Sequence, residues 1–247
     1  MKISERIHIV GSGRAGFNLT DDYDCHVYLL DGGGEYALID AGGGRDVDGI
    51  VANLEGDGLD LGRVRYLLLT HAHADHAAGA AGLRARLGLR VLASPQVAGY
   101  VRAGDERAAS LDVARRTGGY PPDFVFPPCP VDDELPDGAP VRVGDLAVEA
   151  IETPGHAAGH LSYVLRHAGQ TSVFCGDAFF FGGRILLQNT WDCSVQASIR
   201  TVERLASLDL DGLYPGHLTF AVHHGRRQIA KAMGFIAQLL PPPQLST

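Results

Sequence analysis

The sequence predicts an α/β fold, and three observations carry that reading. Short β-type runs recur along the whole chain, helical patterns intervene between them, and potential ligand residues fall in glycine turns just past the ends of the β runs. The β runs lie at 7–10, 26–30, 36–39, 66–69, 90–93, 141–143, 147–151, 161–165, 171–175 and 212–214, several bounded by Gly, Asp or Pro. Helical patterns lie at 46–55, 77–87, 95–103, 105–117, 194–207 and 223–239. In the last, Ile229, Met233, Ile236 and Leu240 form one apolar stripe, and Pro241-Pro242-Pro243 ends the helix. The five prolines between Tyr120 and Pro130 mark the main internal loop. No linker rich in Ser or charge interrupts the pattern, so residues 1–247 read as one domain.

Composition narrows the function. With 45% hydrophobic residues and 20% charged, the 247-residue chain has the apolar mass for a core. A formal charge of −8 argues against a protein that mainly grips phosphate backbones. The partners expected are a small-molecule substrate, no nucleic acid and no membrane, with a homodimer among the open assembly states. No stretch approaches 18 apolar residues, and the N-terminus lacks the apolar core of a signal peptide. Cys25, Cys129, Cys175 and Cys193 form no CxxC pair, which fits free thiols in a reducing compartment and a cytoplasmic location. Glycine is abundant, 32 residues, and histidine numbers 11; both counts need a reason.

One glycine motif is a decoy. Gly11-Ser12-Gly13-Arg14-Ala15-Gly16 follows a β run and matches the dinucleotide fingerprint GxGxxG. That motif requires a helix opening at the loop to aim its N-terminus at a pyrophosphate. The residues that follow, from Phe17 to Asp24, are polar, hold three acids and carry no helical stripe. A plain glycine turn is predicted.

The chemical signal is Thr70-His71-Ala72-His73-Ala74-Asp75-His76, an HxHxDH motif between a buried β run and a helix-compatible stretch. Alternate residues of an extended turn point the same way, so His71 and His73 can share an ion, while Asp75 and His76 can reach a second. Four more strand-end turns carry single donors: Asp40 before Ala41-Gly42, His156 after Pro154-Gly155, Asp177 after Cys175-Gly176, and His217 after Pro215-Gly216. Each alone is weak; with HxHxDH they are specific. Imidazole plus carboxylate without thiolate suits Zn²⁺, and also Fe or Mn. Cys175, two residues before Asp177, reads as a buried strand thiol.

These motifs, in this order from Asp40 to His217, resemble the metallo-β-lactamase superfamily. The resemblance implies a four-layer αβ/βα sandwich, with two mixed β-sheets packed face to face and helices outside. It implies two divalent ions: His71, His73 and His156 on one, Asp75, His76 and His217 on the other, Asp177 on both. Asp40 and His160 then support ligands without binding metal. A hydroxide held between the ions would hydrolyse an ester-like bond, oriented by Asp75 as the catalytic carboxylate.

Several branches of that superfamily share these ligands. His76 with a bridging Asp177 resembles the glyoxalase II-like thioesterases and the lactonases more than the lactamases. The 39 residues between Asp177 and His217 are too few for the inserted domain of the nucleic-acid-processing branch. The alternative is a mononuclear iron oxidoreductase of the persulfide dioxygenase type, using His71, His156 and Asp177. Phe179-Phe180-Phe181, Trp191, Tyr120 and Tyr23 fit either a pocket wall or ordinary core. Arg184 reads as a surface arginine and His223-His224 as a helix start.

Overall fold

The computed structural model describes residues 1–245. The chain divides into two compact units: residues 1–135 with 143–145, and residues 136–142 with 146 onward.

The first unit is built on a six-stranded mixed sheet in the order β1 (Ile7–Gly11), β2 (Val27–Asp31), β3 (Tyr36–Ile39), β4 (Val64–Leu68), β5 (Arg90–Ala93) and β6 (Asp133–Glu134). β1, β2 and β3 pair antiparallel, and β3 to β6 pair parallel. Parallel strands need crossovers. The chain supplies α1 (Val47–Gly56), then α2 (Ala74–Ala77) with α3 (Ala80–Leu87), and then α4 (Pro95–Ala103) with α5 (Leu111–Arg116). Asp46 caps α1 by accepting the Gly49 N–H at 3.0 Å, and Ser94 caps α4 through Val97. Ile50 and Leu54 of α1 are fully buried in the same cluster as Leu29, Leu38, Leu67 and Val91. Each such side chain contributes about 1.5–3 kcal/mol by leaving water.

The second unit holds a five-stranded mixed sheet in the order β11 (Gly212–Pro215), β10 (Gln170–Gly176), β9 (Leu161–His167), β8 (Leu146–Glu152) and β7 (Ala139–Val143). β8 and β10 both run antiparallel to β9, and β11 runs parallel to β10. The C-terminal ends of β8, β10 and β11 therefore lie at one sheet edge. Its core joins Val164, Val173 and Leu213 to Val202 and Leu205 of α6 (Val195–Ala206) and Ile229 and Ala232 of α7 (Gly225–Ile236). Ile185 pairs with the tail: its N–H donates to Pro243 O at 3.0 Å and its carbonyl accepts the Leu245 N–H at 2.8 Å.

The α/β prediction and all ten strand runs hold, with ends shifted by at most two residues. Four details differ. β6 spans two residues, too short to leave a pattern. The 77–87 helix is split, with α2 ending at Ala77 and α3 starting at Ala80. At Gly79 the chain presses on the turn after β3, where a Cβ would meet Ala41 O at 2.0 Å. The 105–117 helix shrinks to α5, because Asp105 folds its own turn by accepting from Arg107 and Ala108 N–H. α7 stops at Ile236, and Leu240 is half exposed in the turn before the prolines.

No helix opens at the GxGxxG loop. Gly13 is required there because a Cβ would meet Asp22 O at 2.4 Å, and Ser12 and Thr20 hydroxyls accept backbone N–H groups of the same loop. All four cysteines are free. Among the described residues, no helix is long and apolar enough to cross a membrane.

Candidate metal centre

In the first unit the donors follow β4 directly. His71 and His76 are fully buried, His73 is 7% exposed, and the Asp75 side chain 14%. Backbone bonds stitch their turn to its neighbours: Ala41 N–H donates to His76 O at 2.7 Å, Gly79 N–H to Gly42 O at 3.0 Å, and Cys25 N–H to Asp75 O at 3.2 Å. The His71 ring centroid lies 4.7 Å from that of His73 and 4.1 Å from that of His76.

Asp40 organises this group. It ends β3 with φ +61°, a left-handed conformation that Asp tolerates better than most residues. Its Oδ1 accepts the Thr70 N–H at 2.7 Å, and its Oδ2 accepts both the Thr70 hydroxyl and His76 Nδ1–H at 2.8 Å. The Thr70 hydroxyl has a single proton, which goes to the carboxylate. At 3.0 Å from His71 Nδ1 it therefore accepts, so His71 also carries its proton on Nδ1. Both rings are left with Nε2 as the lone pair, the tautomer a metal ligand needs.

The second unit brings its donors from three strands to the edge described above: His156 after β8, Asp177 after β10 and His217 after β11. His156 is 2% exposed and Asp177 4%. His156 Nε2 lies 3.6 Å from Asp177 Oδ2, and His217 Nε2 lies 3.7 Å from the same oxygen. His156 Nδ1–H donates to the Leu186 carbonyl at 3.1 Å, again leaving Nε2 as the lone pair.

These separations test the fit to metal. They are too long for hydrogen bonds. Two donors bound to one ion at about 2.1 Å in tetrahedral array stand about 3.4 Å apart. The 3.6 Å between His76 Nε2 and Asp75 Oδ2 falls in the same range. The residues of each unit fit a divalent cation.

Other expected residues sort clearly. Cys175 is fully buried, its Sγ donates to Phe179 O at 3.1 Å, and burial together with the Asp177 charge pushes the thiol far up, so it is no nucleophile at neutral pH. Cys25, not singled out from sequence, lies beside Asp40 and His76. Burial pushes its thiol up to about 12, so at neutral pH it supplies no thiolate. His160 is buried and meets the Thr153 hydroxyl at 2.9 Å, which in turn meets Ser162 at 2.7 Å. Phe179 and Phe180 are core, whereas Phe181 and Trp191 are 41% and 57% exposed. Tyr23 and Tyr120 pack with Phe124. Arg184, His223 and His224 are exposed.

Sequence reasoning missed Thr70, although it abuts the motif, and it missed the 186–194 segment that grips the turn of His156. A backbone carbonyl such as Leu186 O leaves no trace in a sequence.

A family model described as the metallo-beta-lactamase superfamily matches residues 20–217. Among curated proteins, a hydroxyacylglutathione hydrolase of Acidiphilium cryptum is 30% identical over 190 residues, covering 77% of this chain and 62% of that protein. A probable metallo-hydrolase of Burkholderia pseudomallei is 32% identical over 171 residues, covering 62% of this chain and 54% of the relative. The chain thus spans little more than half the length of these two relatives. Among solved structures, a motif mutant of a metallo-beta-lactamase from Cronobacter sakazakii superposes with TM-score 0.74 at 27% identity, over 97% of this chain and 96% of that one. The FEZ-1 metallo-beta-lactamase of Legionella gormanii shares the fold, with TM-score 0.71 at 22% identity over 97% and 94%. The two mixed sheets with their helices, the strand-end histidines and the family match place this chain in the metallo-β-lactamase superfamily.

Proposed function

We propose that this chain is a binuclear metal-dependent hydrolase that cleaves an ester-like bond, a thioester or a lactone, in a small molecule. The observation that carries the reading is the shared preparation of the donors. His71, His76 and His156 each have Nδ1–H committed to an acceptor, so the ends of two strands, β4 and β8, offer Nε2 lone pairs beside carboxylates. On this reading His71, His73 and His156 hold one ion, Asp75, His76 and His217 hold the other, and Asp177 touches both. Zn²⁺ suits such a set best. When bound, the ions polarise a carbonyl oxygen and bring the pKa of a water close to neutrality.

The remaining work falls to the chain's own groups. Asp75 is 14% exposed at its side chain, more open than the donors around it, and suits an acceptor that orients the attacking water. Asp40 and Thr70 keep His71 and His76 from rotating or changing tautomer. Burial of His71, His76 and His156 keeps bulk water from competing for their lone pairs. The name of the Acidiphilium relative supports the thioester branch, and the glycine turns at each donor leave room for a substrate to approach closely.

The test is elemental analysis of the protein as purified, followed by assays on thioester, lactone and β-lactam panels. Two zinc ions per chain, with thioester or lactone hydrolysis lost on chelation and restored by zinc, is the expected outcome. One iron per chain with oxygen uptake on a persulfide would replace this reading with the dioxygenase one.

A further inference from the structure

We propose that Asp192 is a positioning residue for His156, acting through the 186–194 segment that follows the candidate bridging residue Asp177. The inference rests on reading His156 as a metal donor.

That segment grips the turn of His156 at three points. Leu186 O accepts from the imidazole Nδ1–H at 3.1 Å. Ser194 N–H donates to Gly155 O, the residue before, at 2.8 Å. Asp192 Oδ2 accepts the N–H of Ala158, two residues after, at 2.8 Å. The ring and the backbone on both sides of it are thus fixed by one short stretch of chain. α6 fixes the stretch in turn. Its N-cap Ser194 accepts the Ala197 N–H, Thr201 Oγ1 donates to Pro154 O at 2.7 Å, and Ser198 lies so close to Gly155 that a Cβ there would meet Ser198 N at 2.4 Å.

Two of the three grips are backbone carbonyl or amide contacts that truncating a side chain leaves in place. Asp192 is the one made by a side chain. Its Oδ1 is buried without a hydrogen-bond partner among the described residues, so the carboxylate is held in place at a desolvation cost. Holding an acceptor there costs stability and returns orientation of the His156 turn. A ligating imidazole must be held within roughly 0.5 Å and 10–20° of its working pose to bind well.

The requirement is an acceptor for one N–H, not a charge. Asp192→Asn keeps that acceptor and places its amide where Oδ1 lies, whereas Asp192→Ala removes it. Zinc affinity, read by competition with a chromophoric chelator, is compared among wild type, Asp192→Ala, Asp192→Asn and His156→Ala. Asp192→Ala should bind one of its zinc ions about 10–100-fold more weakly, and Asp192→Asn should stay within about threefold of wild type. A role in stability alone would lower the melting temperature of the metal-free protein and leave the affinity unchanged. Normal affinity in Asp192→Ala, with affinity lost in His156→Ala, overturns the positioning role and leaves the metal site standing; so does failure of the Asn variant to rescue. Unchanged affinity in His156→Ala itself overturns the underlying site reading.

Discussion

The two units supply donors in opposite ways. The first takes His71, His73, Asp75 and His76 from one turn and steadies them with side chains, Asp40 and Thr70. The second gathers His156, Asp177 and His217 from three strand ends and steadies His156 mainly with backbone, through Leu186 and Ser194. The difference lies in where the precision is stored. In the first unit it is stored in residue identity, so single substitutions reach it. In the second it is stored in topology: β8, β10 and β11 share a direction, and their ends coincide whatever side chains they carry.

The strongest way to break this comparison is to remove one donor from each side. His73→Ala and His217→Ala should both lose metal and both lower kcat/KM by roughly 10²–10³-fold or more, the scale at which a lost electrostatic contact to the transition state is felt. Elemental analysis beside kinetics checks this; a first-unit variant that fails while the second-unit variant keeps full metal and rate would confine the chemistry to one unit.

Asp24 comes next and tests the first unit's reliance on side-chain identity. It is 2% exposed and accepts the Gly43 N–H at 2.7 Å beside the turn that follows Asp40. Burial raises its carboxyl from 3.8 to about 6, with Asp21 and Asp46 adding like charge. A raised folded-state pKa means that its favourable contribution is complete below pH 4 and lost as pH rises through 6. Asp24→Asn keeps the acceptor without the charge. It should be more stable than wild type above pH 6, by roughly 3 kcal/mol at most, with the gap closing below pH 4. Denaturant unfolding at pH 4 and pH 7.5 measures the gap, and an equal effect at both would refute the assignment to ionisation.

Asp40→Asn probes the support of His76 and His71. An amide has one acceptor oxygen where the carboxylate uses two, so either Thr70 N–H or the His76 ring must face an NH₂. Zinc affinity should fall about 10–100-fold, with the fold intact by circular dichroism. Unchanged affinity would show that the His76 tautomer needs no carboxylate. The smallest effect belongs to the exposed pair Arg226–Asp209, at 3.1 Å with side chains 63% and 81% exposed. Arg226→Ala should leave thermal stability and activity within experimental scatter.

The same contrast explains what could be read in advance. HxHxDH was legible because its donors are adjacent. Asp40, His156, Asp177 and His217 were legible only as a set, since a lone donor after a glycine is an ordinary turn residue. The strands were legible because buried runs such as 66–69 and 171–175 are apolar and bounded by turn formers. The Thr70 tautomer lock, the Leu186 carbonyl and the Asp192 contact were not, because hydrogen bonds between residues 30 to 34 apart carry no periodicity. The split at Gly79 was hidden for a related reason. Its cause is Ala41 O, a backbone atom 38 positions upstream.

The pairing of Ile185 with the 243–245 tail has a consequence in time. The acceptor for His156 lies next to a residue anchored by a stretch that is synthesised after every candidate donor of both units. The imidazoles of the first unit leave the ribosome some 170 residues earlier. At about 5–20 residues per second, that is on the order of ten to thirty seconds in which the first set exists without that anchor. During synthesis the HxHxDH turn is thus complete before the Ile185–tail pairing that backs the His156 turn can form. A nascent chain paused short of Pro243 should capture metal weakly through His71, His73 and His76 and tighten its hold only when the tail closes beside Ile185.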